Sequence, residues 1–200
     1  LWNAKTNIVN KLMSPETSEY VDGFTLTPQE QLAINLYTSS ADISSIINNT
    51  ILHNEKDVKI TMRPYIQALY SSLGKLPAFE GEVFIGSNTL DRSLFKLDTG
   101  ITWMTFMSGS TMWRVATEHM PNFASKKKEG TVVLVKSKTG RLVTNNSQFP
   151  FDGEVIFHPN TKFKVNRWYI GDVICLGQEN IREHTFKIKP EDMAMFDSSN

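Results

Sequence analysis

Two carboxylates stand two residues apart in the run Phe149-Pro150-Phe151-Asp152-Gly153-Glu154-Val155-Ile156-Phe157. In an extended chain, side chains repeat every two residues, so Asp152 and Glu154 would share one face. Two acids on one cleft can divide labour, one stabilising a developing cation while the other accepts a proton. On spacing alone, the plainer reading is a polar turn entering an apolar strand. A second element, Phe106-Met107-Ser108-Gly109-Ser110-Thr111, places small hydroxyl side chains at the end of an apolar run. Such hydroxyls can hold a neighbouring carboxylate. They also suit a helix N-cap, with Ser110 capping a helix from Thr111 to His119. The two roles are compatible if Ser108 faces a cleft while Ser110 caps. A third element, Leu76 to Ser87, brings Gly86 to the end of an apolar strand, where a glycine lets another group approach the backbone closely. His53, His119, His158 and His184 are scattered, and with the single cysteine Cys175 they form no metal-ligand spacing.

Elements of two kinds must position these residues. Thr27-Pro28-Gln29-Glu30 has the form of a capping box with proline at the first helical position. Leu32, Ala33 and Leu36 follow at helical spacing. A second helix is predicted from Ile43, Ile46, Ile47 and Ile51 on one face. A third spans about Met62 to Leu73, stopped by Gly74 and Pro77. Beyond Pro77 the pattern turns to short β-forming runs: Glu82–Ile85, Ile101–Met107, Thr131–Val135, Glu154–Phe157, Phe163–Val165, Val173–Leu176 and Thr185–Ile188. Helices first and strands after predict an α+β fold.

The chain has 200 residues, 21 Lys plus Arg and 21 Asp plus Glu, giving zero formal net charge. That balance provides no electrostatic argument for nucleic acid or an anionic membrane as partner. One cysteine excludes an intrachain disulfide, so the fold does not depend on an oxidising compartment. No apolar run approaches the roughly 18–20 residues of a membrane helix. Starting at Leu1, without a leader pattern, the chain reads as an excised domain or processed product. Leu1 to Gly23 and Pro190 to Asn200 are expected to be its most mobile parts.

The order of the three elements resembles that of the arginine-type (R-S-E) mono-ADP-ribosyltransferases. Leu76 to Gly86 resembles their "LP-x-aromatic-x-G-x-V-Y-R-G" stretch. Ile101 to Ser110 resembles their "F-x-S-T-S" strand, followed by the early pair Val115-Ala116. The third block is the most specific: Gly140-Arg141-Leu142-Val143, Ser147, Phe149, Asp152, Glu154-Val155-Ile156-Phe157, Pro159, Thr161, Phe163 and Val165. The prelude Leu26 to Glu30 and Ala33 to Thr38 is similar too, so the resemblance covers about Leu26 to Ile188.

The resemblance implies an α+β domain over residues 26–189, with an extension at 1–25 and a tail at 190–200. Helices would precede a core of two roughly perpendicular sheets, with NAD bound between them as substrate. It implies transfer of ADP-ribose to a protein side chain, arginine by the acid at the acceptor position, with NAD glycohydrolase activity alongside. Glu154 matches the catalytic glutamate, Ser108 the serine that orients it, and Asp152 the acid that engages the acceptor. Phe84, Ile85, Gly86 and Ser110 match dinucleotide-binding positions. Asn145 to Phe151 would be the acceptor loop, and Met120 to Gly130, with Lys126, Lys127 and Lys128, the loop over the phosphates. The family's arginine is replaced by Ile85, and an alkyl chain cannot replace a bidentate donor. Three explanations stand beside each other: Arg92 or Arg114 has taken the role, the position was altered, or the chain is a pseudoenzyme that uses the fold as a binding module. Gly109 replaces the middle residue of S-T-S, and Asp152 the usual glutamate. No metal, nucleic acid or membrane partner is expected, and the chain is expected to act as a monomer. The expected setting is a secreted toxin or effector in a host cytosol, or an intracellular enzyme.

Overall fold

The computed structural model describes residues 26–39, 41–53, 56–87, 90, 92–118, 131–168 and 173–177. The expected strand Thr185–Ile188, the loop Met120 to Gly130 and both chain ends lie outside them.

Three helices come first: α1 (Pro28–Ser39), α2 (Ala41–Leu52) and α3 (Lys56–Lys75). The capping box forms as its sequence dictates. Thr27 N donates to Glu30 Oε2 at 2.8 Å, and Glu30 N donates to Thr27 Oγ1 at 3.3 Å. Glu30 also ties α1 to the end of α3, accepting from Ser71 Oγ at 2.6 Å and Lys75 Nζ at 2.8 Å. Burial favours the protonated acid, but these hydrogen bonds outweigh it and hold the Glu30 carboxyl below its ordinary range. Tyr65 adds a second tie, its hydroxyl donating to Ala33 O at 2.7 Å. Ile47 of α2 and Met62, Ile66, Leu69 and Leu73 of α3 complete a helical core. The third helix is longer than the spacing predicts, and its Pro64 sits on an exposed face.

Seven strands follow: β1 (Ala78–Ser87), β2 (Gly100–Trp103), β3 (Met107–Ser110), β4 (Thr131–Leu142), β5 (Glu154–Phe157), β6 (Thr161–Trp168) and β7 (Val173–Gly177). They pair in the order β1-β3-β5-β4-β7-β6-β2, and β1 pairs with β4 as well. The expected two-sheet core is therefore continuous, with the long strands β1 and β4 serving both halves. One half is the closed set β1-β3-β5-β4; the other extends from β4 through β7 and β6 to β2. Val83, Met107, Val133, Val135, Val155, Phe157, Phe163 and Val165 make the core of these strands. Phe106, Val143 and Ile156 instead join the helical core. Alternate residues of β5 thus divide between two apolar clusters, as a strand buried on both faces requires.

The predicted run Ile101–Met107 is two strands with different partners. β2 pairs with β6, and β3 pairs with β5. Between them Phe106 turns into the helical core, where Asn48 Nδ2 donates to its carbonyl at 3.0 Å. The short helix α4 (Trp113–Glu118) starts two residues later than expected. No helix among the described residues is long and apolar enough to cross a membrane, and they contain no cluster of metal-ligating side chains.

Among the described residues, Glu30 is the buried acid that joins the first and third helices. Glu30→Ala is expected to cost about 2–3 kcal/mol, as loss of hydrogen bonds to a charged group does. A urea titration measures it. A loss below about 0.5 kcal/mol would mean that Ser71, Lys75 and Thr27 are equally well served by water.

Candidate active site

The register of three strands places the chemistry. Phe84 of β1 lies opposite Ser110 of β3, and Ser110 lies opposite Glu154 of β5. One step along, Ser108 lies opposite Ile156. Directly paired residues share a face, so Phe84, Ser108, Ser110 and Glu154 stand on the same side as Ile156, which packs against the helices.

Two hydroxyls from different segments converge on the Glu154 carboxyl. Ser147, in the loop between β4 and β5, donates to Oε2 at 3.2 Å. Ser108 supplies the second hydrogen bond. Burial pushes the Glu154 carboxyl up to about 7; the two hydroxyls work against that shift, and the charge of Asp152 adds to it. The phenol of Tyr37, in α1, is buried at the same place. Its pKa is raised, first by burial and further by the charge of Glu154, while a hydrogen bond from Asn48 opposes the shift. The resemblance places Ser147 in the acceptor loop and Tyr37 in the helical prelude, and implies a contact with Glu154 for neither. No local spacing marks them, because their proximity to Glu154 depends on the tertiary fold.

Asp152 reaches the site by a route different from the one its spacing predicts. Residues 150–152 form a single 3-10 turn, and Gly153 adopts a left-handed conformation at φ 55°. The strand repeat therefore does not extend back to Asp152. The turn brings the two acids close enough for Asp152 to disfavour ionisation of Glu154. Ser110 Oγ fixes this turn, donating to Asp152 O at 2.5 Å and accepting from Met112 N at 2.8 Å. Thr111 N donates to Gly153 O at 3.0 Å, and a Cβ at position 153 would overlap the Thr111 hydroxyl. Only glycine satisfies both the dihedral angle and the space.

The loop ahead of the turn is anchored to α1, where Thr38 Oγ1 accepts from Gln148 N at 2.8 Å. Phe149 N donates to Ser147 Oγ at 3.0 Å. Phe149 and Phe151 are left exposed, Phe151 at 90%. On the other side of the site, Trp113 is 42% exposed and meets Phe84 edge-on, with ring centroids 5.6 Å apart.

Ile85 does not join this group. Its side chain packs with the strand core on the opposite face of β1, and Gly86 pairs with Val132 of β4. A Cβ at Gly109 would lie 2.6 Å from Ile85 Cγ1, 2.7 Å from Val83 Cγ1 and 2.8 Å from Phe84 O. The isoleucine and the glycine therefore fit each other: the missing side chain on β3 is the space that β1 fills. Arg114 is exposed and paired with Glu118 at 2.9 Å. The Arg92 side chain lies outside the described residues. Arg141 of β4 lies opposite Ile156 and acts on His158, whose pKa burial lowers to about 4.

The family model for NAD:arginine ADP-ribosyltransferases matches residues 2–172. A curated relative, the putative NAD(+)–arginine ADP-ribosyltransferase Vis of Vibrio splendidus (strain 12B01), is 29% identical over 121 residues, covering 54% of this chain and 49% of that protein. The match thus spans about half of that relative. Among solved structures, the ADP-ribosyltransferase HopU1 of Pseudomonas syringae pv. Tomato DC3000 aligns with a TM-score of 0.60 at 18% identity, covering 76% of this chain and 77% of that one. Vis in complex with agmatine aligns at 0.58 and 20% identity, covering 88% and 81%. The eukaryotic mono-ADP-ribosyltransferase ART2.2 aligns at 0.61 and 17% identity, covering 88% and 74%.

Two outcomes follow from this geometry. Glu154 keeps its proton up to about pH 7 when folded, against 4.5 as its ordinary value. Between those values the folded state binds more protons than the unfolded state, so it loses stability as pH rises. The Tm advantage of Glu154→Gln over wild type should therefore grow from pH 4.5 through 7 and then level off; an advantage that shrinks over that window contradicts the burial described here. Gly109→Ala should cost about 1–3 kcal/mol by overpacking. Urea unfolding with no loss of stability would show that β1 and β3 are not in close contact.

Proposed function

Because this chain belongs to the NAD:arginine ADP-ribosyltransferase family, we propose that it cleaves the bond between nicotinamide and ribose in NAD and passes the ADP-ribose to a guanidinium group. The observation that carries this reading is the convergence on one carboxyl: Glu154 held by Ser108 and Ser147, with Asp152 beside it. The donor set fits the ribose end of the substrate. NAD supplies a positively charged leaving group, which departs with the electron pair of the broken bond.

Glu154, ionised, stabilises the positive charge that grows on the ribose as nicotinamide leaves. Ser108 and Ser147 fix the direction of its carboxylate, so no reorganisation is needed as the charge develops. Asp152, the acid beside Glu154, is read as the group that engages the incoming acceptor. A guanidinium nitrogen attacks the anomeric carbon and gives up a proton, which Asp152 is placed to accept. Phe149 and Phe151, exposed on the loop that Thr38 and Ser110 anchor, offer flat apolar faces to an acceptor cation. With water in the acceptor's place, the same bond cleavage is NAD hydrolysis.

The acceptor is read as an arginine of a host protein, which accords with the agmatine bound to Vis, a small guanidinium compound. The setting is read as that of a toxin or effector acting inside a host cell; one fold relative is the type III effector XopAI of Xanthomonas axonopodis pv. citri. One observation favours a second reading. Ile85, turned into the strand core, supplies no cation for the phosphates, as a binding module without activity would allow.

Nicotinamide release and transfer to agmatine separate these readings. Glu154→Ala should lower both by at least about 100-fold. Asp152→Asn should lower transfer to agmatine by about 100-fold while sparing hydrolysis. For wild type, kcat/KM should rise with pH through about 7 as Glu154 ionises. A wild-type protein that releases no nicotinamide leaves only the binding-module reading.

A further inference from the structure

We propose that Trp113, braced by Phe84, is a stacking surface for the adenine ring of the dinucleotide, and that this contact holds the substrate where Ile85 provides no cation. The inference rests on the transferase reading and names residues that act on the far half of its substrate.

Phe84, Ser110 and Glu154 form one row across β1, β3 and β5. Neighbouring strands lie about 4.8 Å apart, so Phe84 stands about 10 Å from Glu154 along this row. The nicotinamide ring is bonded directly to the ribose beside Glu154 and falls short of that distance. The adenosine half, beyond the pyrophosphate, reaches it. Trp113 meets Phe84 edge-on and keeps 42% of its surface in solvent. Its orientation is fixed from two sides. Ser110 Oγ binds Met112 N, which sets the turn into α4, and Val115, Ala116 and Thr117 are buried behind it. A large aromatic surface held rigidly in the open costs little conformational entropy when a flat ring settles on it. The aromatic pair is continuous with the Glu154 row and lies on the same face of the sheet.

The replacement of the arginine gives this contact its weight. The resemblance assigns the family's arginine to the phosphates, whereas here Ile85 turns to the opposite face of β1 and fills the space left by Gly109. Base stacking on an aromatic side chain contributes about 1–3 kcal/mol, enough to replace part of that hold.

The test is calorimetric titration of the whole protein with ADP-ribose, which carries adenine and lacks nicotinamide, together with inhibition of nicotinamide release by free nicotinamide. Trp113→Ala should weaken ADP-ribose about 5- to 140-fold, from the stacking energy at roughly 1.4 kcal/mol per tenfold. Trp113→Phe should recover most of that loss, and inhibition by nicotinamide should be unchanged in both variants. Tm values within a few degrees of wild type establish that the variants are folded. Equal ADP-ribose affinity in wild type and Trp113→Ala overturns the proposal. So does a loss confined to nicotinamide, which would move the stacked ring to the other end of the substrate. Nicotinamide release by the wild type reports separately on the transferase reading.

Discussion

A carboxyl largely, but not wholly, withdrawn from water governs the arrangement of this chain. Glu154 stands at the first position of β5, where the strand leaves a solvent-facing turn and enters two apolar clusters. Deeper burial would leave the acid permanently protonated, and fuller exposure would return it to ordinary carboxylate behaviour. The shift to about 7 is a balance between burial and two hydroxyls. Each hydroxyl comes from a segment with its own anchorage. Ser108 is held by the β3–β5 ladder. Ser147 lies in a loop pinned to α1 through Thr38 and Gln148. The helices, the loop and the sheet are thus all needed for one side chain's protonation state.

The second constraint is the closeness of β1 and β3. These strands share one ladder pair, Phe84 with Ser110, yet that pair closes the set β1-β3-β5-β4. Closure without a side chain at Gly109 lets Ile85 and Val83 lie flat against β3. Seen this way, the two departures from the family pattern, at positions 85 and 109, are one structural feature. A larger residue at 109 would push the isoleucine away, and a longer polar residue at 85 would have to leave the core.

Local features were legible in the sequence. The Thr27–Glu30 capping box forms with both reciprocal hydrogen bonds, because every atom it needs lies within four residues. Glu154–Phe157 is a strand over the same span as its β-forming run. The resemblance correctly indicated the family and an α+β fold of helices followed by strands. Features set by long-range register were not legible. Nothing local says that Ile85 and Phe84 face opposite ways relative to Glu154; that follows from which residue of β3 lies across from Phe84. The run Ile101–Met107 looks like one strand because its residues are uniformly β-forming. Only the pull of the helices on Phe106 and the Asn48 hydrogen bond divide it. The αL turn at Gly153 likewise overrides the two-residue repeat that Asp152 and Glu154 suggest in isolation.

The absence of a guanidinium at position 85 also bears on Glu154 itself. In the proposed reaction the substrate brings a positive nicotinamide and a negative pyrophosphate into one cleft. The first favours ionisation of Glu154 and the second opposes it. In the family pattern an arginine neutralises the phosphates, so their charge is masked at the carboxylate. Position 85 supplies no such mask here, and a pyrophosphate close to Glu154 would favour the proton on an acid whose pKa already stands near 7. Asp152 presses in the same direction. Distance is the remedy the geometry offers, since the interaction between charges falls with separation and with access to water. A substrate whose adenine end rests on the Phe84–Trp113 pair would place the phosphates away from the carboxylate while leaving the ribose beside it. On this view the aromatic pair at the rim does more than add affinity. With adenine stacked there as proposed, it would also set where the negative charge of the substrate comes to rest, and so whether Glu154 is ionised when the bond must break.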